Sequence, residues 1–293
     1  MAMPRLIEEL GITHFGTSAK YLSVLEQKSV MPKDKGLSLR TLKAIYSTGS
    51  PLAPSTFEYI YKAFGPDLNL GSITGGTDII SLFGAPSQIS PVYRGEIQVR
   101  GLGMAVEAWD YLGKNISLTS EPGDLVCVKP FPCQPIYFFG DEGDAKYNKS
   151  YFETFPGVWH HGDYIKINPE TGGLLMLGRS DGVLKPSGVR FGSAEIYNVL
   201  LMHFQEVEDA LCIGRRRVTD SDETVVLFVK MASGQKFTHE LVRRIQAVIR
   251  TQLSARHVPA IIDECSEIPV TTNGKKWVSQ LLLLIFSYLT VSG

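Results

Sequence analysis

The sequence predicts an α/β protein: a parallel sheet, then a small antiparallel, barrel-like subdomain, then a compact α+β unit. Three observations carry this. Apolar, strand-like runs empty into small-residue turns at "LKAIYSTGSPLAPSTFEYIYKAF" and "LNLGSITGGTDIIS". Short alternating segments punctuated by Gly and Pro fill residues 95–139. From about residue 182 onward, helical and strand-like periodicities take turns.

Taken in order, residues 5–32 carry a helical pattern, with Leu6, Leu10, Ile12, Tyr21, Leu22 and Leu25 on buried faces and breaks at Gly11 and Gly16. A strand over residues 42–46 precedes a small-residue turn and a helix starting at Ser55. This β-turn-α unit and the Gly-rich turn after "LNLGSI" imply parallel strands whose ends gather at one edge. "GEIQVR", "MAVEAWD" and "DLVCVK" read as short antiparallel strands, and "WHHGDYIKINPETGGLLMLGR" as two more in a hairpin. "SAEIYNVLLMHF" is a helix, and "VEDALCIGRRR" and "ETVVLFVKM" are strands. "THELVRRIQAVIRTQL" places Leu241, Ile245, Val248, Ile249 and Leu253 on one helical face, with Thr238 as N-cap.

A chain of 293 residues accommodates two domains with a sizeable core. Its net charge of -1 supplies no bulk field for nucleic acid or an anionic membrane surface. The cysteines, Cys127, Cys133, Cys212 and Cys265, form no CxxC pair and have no histidine at metal-ligand spacing, so they read as reduced core thiols. "MAMPRLIEELGITHFG" looks like an amphipathic helix without a signal core or transit pattern, so a cytosolic location is expected. The apolar run within residues 277–293 falls short of the ~20 residues that cross a bilayer. A docking helix, or a segment not selected for folding, is expected there ahead of a membrane anchor.

Several short stretches could carry chemistry. In "TGGTD", Thr77 and Asp78 put a hydroxyl donor beside a carboxylate at a strand end, which suits a nucleotide phosphate and its Mg2+; Gly turns of this kind also serve backbone needs alone. Asp163 in "WHHGDY" could accept from both hydroxyls of a ribose, or close a surface turn. His160 and His161 are neighbours in a strand and face opposite ways, which argues against a shared metal. "GRSDGVLKPSGVR" packs Arg179, Asp181, Lys185 and Arg190 among glycines, as a solvated charged loop would too. "GLGMAV" lacks the last glycine of a dinucleotide fingerprint and is set aside.

The order of "STGSPL", "TGGTD", "HHGD", "GRSDGVLKPSGVRFGSAEI" and "PVTTNGKK" resembles the successive motifs of the adenylate-forming enzymes, which include acyl-CoA synthetases and luciferases. The resemblance covers residues 1–276. "TGGTDI", "YFETFPGVWHHGDY" and "PSGVRFGSAEIY" look most like the acetoacetate-activating branch, with acetate- and propionate-activating enzymes as the nearest alternatives. The resemblance implies ATP, Mg2+ and CoA as co-substrates and cofactor, small-molecule partners only, and a two-step ligase of lipid metabolism. Lys275 would be the adenylation lysine, Asp78 the Mg2+ carboxylate, and Thr77 the donor to the α-phosphate. Gly49, Ser50 and Pro51 would border adenine, and Asp163 and Arg179 would hold the ribose. Asp181 would be the hinge of a rotating small domain. Ser187, Gly188 and Arg190 would face CoA or phosphate, with Arg250 on the last helix as a further phosphate contact or an ordinary exposed charge.

The implied domains are residues 1–180, the C-terminal portion of a large AMP-binding domain; residues 181–276, a small mobile C-terminal domain; and residues 277–293, a divergent apolar tail. Two departures stand out. Members usually carry Glu where this chain has Asp78, and the Ser/Thr/Gly-rich phosphate loop expected before "STGSPL" is not found there. The expectation is therefore a C-terminal part of such a ligase with little activity alone; the alternative is a non-catalytic form with residual nucleotide binding.

Overall fold

A computed structural model describes residues 1–186, 189–215 and 222–269. The chain divides into two compact units, Met1–Leu177 and Gly178–Gly293.

The first unit opens with α1 (Ala2–Leu10), closed by Gly11 in the left-handed region at φ 63°. β1 (His14–Ser18), α2 (Ala19–Gln27), β2 (Ala44–Thr48), α3 (Pro54–Phe64) and β3 (Asn69–Ser72) follow. The strands form a parallel sheet in the order β1-β2-β3. Ile7, Leu22, Ile45, Ile60 and Leu70, from α1, α2, β2, α3 and β3, are fully buried in its core.

One expectation is corrected here: residues 5–32 are not helical throughout, because β1 lies between two helices. Only Phe15 in that strand is buried, so no apolar alternation announces it. Backbone pairing with residues 44–48 makes it a strand. α3 begins at Pro54, one residue before Ser55, because proline at the first helical position gives up an N–H that has no intrahelical partner anyway.

The rest of this unit is antiparallel. β4 (Thr74–Gly76), β5 (Ser81–Ala85) and β6 (Val99–Arg100) make one sheet. β7 (Val106–Trp109), β8 (Gly123–Cys127), α4 (Ala145–Tyr151), β9 (Trp159–Ile167) and β10 (Leu174–Arg179) complete the unit, with a second sheet ordered β10-β9-β8-β7. A bridge between Ile97 and Leu174 links them. Phe83, Leu125, Trp159 and Ile165 fill the shared core.

In the second unit, β11 (Val183–Leu184) pairs with β12 (Phe191–Gly192), and α5 (Ser193–His203) starts where the Glu195 carboxylate accepts from the Gly192 N–H at 2.8 Å. β13 (Val207–Arg215) and β14 (Thr224–Met231) are antiparallel. α6 (His239–Gln252) is capped by Thr238, whose hydroxyl accepts from the Leu241 N–H at 3.1 Å. β15 (Ile261–Glu264), which the sequence pattern did not reveal, adds to β14 in parallel. Cys127 and Cys212 are buried, Cys133 and Cys265 half-buried, and all four are free thiols. No helix among the described residues is long and apolar enough to cross a membrane.

Candidate functional site

β2 and β3 run side by side with Ser47 opposite Ser72, so both end at one edge of the sheet. Beyond β2 lie Gly49, Ser50 and Pro51; Gly49 has φ +91°, a conformation that side chains oppose. Beyond β3, the Ile73 N–H donates to Ser47 O at 2.9 Å, and the chain then turns through Thr74–Gly76 into Thr77 and Asp78. Both turns singled out in the sequence therefore leave the carboxyl ends of adjacent parallel strands, where open α/β sheets take their ligands.

The glycines of the second turn are required by space. A Cβ on Gly75 would meet Ser81 O at 2.0 Å, and one on Gly76 would meet the His161 ring at 2.8 Å. Backbone and imidazole occupy the volume a side chain would need.

β9 supplies the other half of the site. Alternate residues of a strand share a face, so Trp159, His161 and Asp163 point together. Asp163, only 8% exposed, accepts from the Thr74 hydroxyl at 2.9 Å through Oδ2. His161 has Nε2 3.1 Å from Gly75 O, while Trp159 Nε1 donates toward Nδ1 at 3.5 Å. The two contacts together assign the Nε2–H tautomer, donating to the Gly75 carbonyl. Thr77 and Asp78 are exposed. Asp78 Oδ2 accepts from the Tyr151 hydroxyl, and the Tyr151 ring lies stacked on Trp159.

Thr77, Asp78 and Asp163 thus belong to one constellation, with Thr74, His161 and Tyr151 as members that sequence reasoning did not assign. Period-2 alternation back from Asp163 was the signal available for His161. Nothing local marks Tyr151. No group of three or more His, Cys, Asp or Glu side chains gathers among the described residues. Asp78 therefore stands as a lone exposed carboxylate, able to contribute one ligand to a cation that brings the rest of its own shell.

In the second unit, Arg179 Nε lies 3.6 Å from Asp181 Oδ1, and both side chains are mostly exposed. An ion pair in solvent holds its partners loosely. Arg190 is half-buried just before β12, the exposed Lys185 donates its N–H to Glu223 at 2.6 Å, and Arg250 is exposed on α6. Ser187, Gly188, Lys275 and the apolar tail lie outside the described residues.

No family profile matches the chain. Individual relatives do. The chain is 60% identical over 280 residues to malonamoyl-CoA synthetase of Penicillium aethiopicum, covering 94% of this chain and 37% of the relative. It is 56% identical over 271 residues to acetoacetyl-CoA synthetase of Mus musculus, covering 92% and 40%. Among solved structures, acetoacetyl-CoA synthetase from Streptomyces lividans superposes with a TM-score of 0.87 at 37% identity, covering 97% of this chain and 43% of that one. The chain spans about two fifths of the length of these relatives.

Proposed function

We propose that this chain, which matches malonamoyl-CoA and acetoacetyl-CoA synthetases over about two fifths of their length, belongs with the acyl-CoA synthetases of the adenylate-forming superfamily and carries the nucleotide-facing part of an ATP-dependent acid–thiol ligase. The proposed reaction joins acetoacetate to CoA in two steps. The carboxylate attacks the α-phosphorus of ATP and releases pyrophosphate; the CoA thiol then attacks the acyl carbon and releases AMP. Two anions meet in the first step, so the barrier falls where fixed positive charge and aligned donors await the developing oxyanions.

The observation that carries this reading is the joint placement of Thr74–Asp78 and Asp163 at the sheet edge. In it, Asp163 accepts from the ribose hydroxyls, held in place by Thr74, and Arg179 assists. Gly49, Ser50 and Pro51 border the adenine. Thr77 donates to the α-phosphate, and Lys275 neutralises it during adenylation. Asp78 faces Mg2+, and a lone carboxylate completed by nucleotide phosphates is the arrangement Mg2+ favours over an all-protein cage. When bound, the ion withdraws charge from the phosphates. Asp181 is the hinge, and Ser187, Gly188, Arg190 and Arg250 serve CoA and phosphate. A cytosolic setting completes the proposal.

A second acid has a specific observation behind it, the 60% identity to a malonamoyl-CoA synthetase. Malonamate and acetoacetate share a carbonyl two carbons from the carboxylate and differ as NH2 against CH3. Only a pocket that pairs the amide N–H groups separates them strongly.

The test is pyrophosphate and thioester formation from ATP, Mg2+ and CoA with acetoacetate, malonamate or acetate, alongside calorimetric binding of AMP. Acetoacetate is expected to be the preferred acid. Asp163→Asn is expected to weaken AMP by about 2 kcal/mol, the scale of a hydrogen bond to a charged group. AMP affinity untouched by that substitution sinks the ribose assignment, and preference for malonamate installs the second reading.

A further inference from the structure

β9 braces the turn residue by residue. Asp163 binds Thr74, His161 binds the Gly75 carbonyl, and Trp159, two residues earlier on the same face, acts on Asp78 through an intermediary. That intermediary is Tyr151, the last residue of α4. Its ring lies on the Trp159 indole with centroids 3.6 Å apart and planes 14° apart, and its hydroxyl donates to Asp78 Oδ2.

The indole is an immobile platform. Trp159 is 2% exposed, and Phe131, Tyr147 and Phe152 meet it edge-on at 5.3, 6.2 and 6.0 Å. A tyrosine stacked there has both side-chain torsions set, so its hydroxyl is a fixed point. Asp78, by contrast, is exposed, next to the equally exposed Thr77, and an unrestrained carboxylate in that position would exchange among staggered rotamers. Tyr151 engages only Oδ2; Oδ1 has no partner among the described residues.

We propose that Tyr151 is a positioning residue: resting on Trp159, it holds one oxygen of Asp78 so that the other is presented to the divalent cation of the bound nucleotide. The inference rests on the reading of Asp78 as the cation-facing carboxylate. Groups that orient a metal-binding carboxylate commonly govern metal affinity as strongly as they govern turnover.

Mn2+ serves as the probe, titrated by electron paramagnetic resonance in the presence of ATP and the 293-residue chain. Tyr151→Phe keeps the stack and removes only the hydroxyl; it should raise the Mn2+ dissociation constant about tenfold while leaving AMP affinity and the thermal midpoint unchanged. Asp78→Asn should weaken Mn2+ as well, and the double variant should be no weaker than Asp78→Asn alone, because both act through one carboxylate. Wild-type Mn2+ affinity in Tyr151→Phe beside a loss in Asp78→Asn overturns the proposal and leaves the Asp78 reading intact. No loss in Asp78→Asn removes that reading and the proposal with it. Should the Phe variant fail to fold, 3-fluorotyrosine at position 151 gives a second readout: its fluorine resonance should broaden when Mn2+ and ATP are added, and a resonance that stays sharp overturns the proposal.

Discussion

Gly75 and Gly49 look alike in the sequence, yet they are glycine for different reasons. Gly75 is surrounded: its missing Cβ would sit 2.0 Å from a backbone oxygen that cannot rotate away. Gly49 has nothing within 4 Å of the same position but holds φ at +91°. Gly75→Ala is therefore expected to lower stability by about 3 kcal/mol through overpacking, whereas Gly49→Ala should cost about 1 kcal/mol from the left-handed backbone alone. Urea midpoints of the two variants check this, and equal shifts would show that the β4–β5 approach is looser than the structure has it. The turn's order, TGGTD, was readable from the chain; why each glycine stands there was not.

At the level of elements, α5 is tied to β13 by Tyr197, whose hydroxyl accepts from the Cys212 N–H at 2.8 Å. Burial pushes the phenol well above its ordinary value, and the neighbouring Cys212 pushes in the same direction. The neutral form is thus the one the fold holds. Its contribution to stability is whole below about pH 10, where the unfolded phenol begins to ionise, and is lost as pH rises toward the higher folded value. Tyr197→Phe should lower stability at pH 7 by about 1–2 kcal/mol by leaving the Cys212 N–H unsatisfied. The same variant should show a shallower fall above pH 10, read by chemical denaturation across pH. A fall as steep as the native one would place the alkaline sensitivity in other tyrosines, among them Tyr59 of the first unit, which burial also raises. The helix itself was legible from "SAEIYNVLLMHF"; its hydrogen-bonded tie to a strand fifteen residues along was not.

For the molecule as a whole, the proposed chemistry has two half-reactions with different electrostatic needs. Adenylation brings a carboxylate against a triphosphate, while thioester formation expels the weaker anion, AMP. Lys275→Ala is expected to slow carboxylate-dependent pyrophosphate exchange by at least about a hundredfold, the scale of removing one charge-stabilising group from a transition state. Thioester formation from preformed acyl-adenylate should change little. Equal losses in both steps would take the adenylation role away from Lys275.

The sequence by itself determined the succession of a parallel sheet, antiparallel strands and an α+β unit, because apolar period, turn residues and helix caps act within a few residues of one another. It also set out, in order, contiguous strings that resemble the motifs of the adenylate-forming enzymes. Only the tertiary structure decided that residues 14–18 form a strand, which they become by pairing with residues 44–48. Likewise, only the fold joins Tyr151 to Asp78 across 73 positions, His161 to Gly75 across 86, and Asp163 to Thr74 across 89. Such contacts leave no local periodicity, because they exist only once β9 and α4 have packed beside the turn.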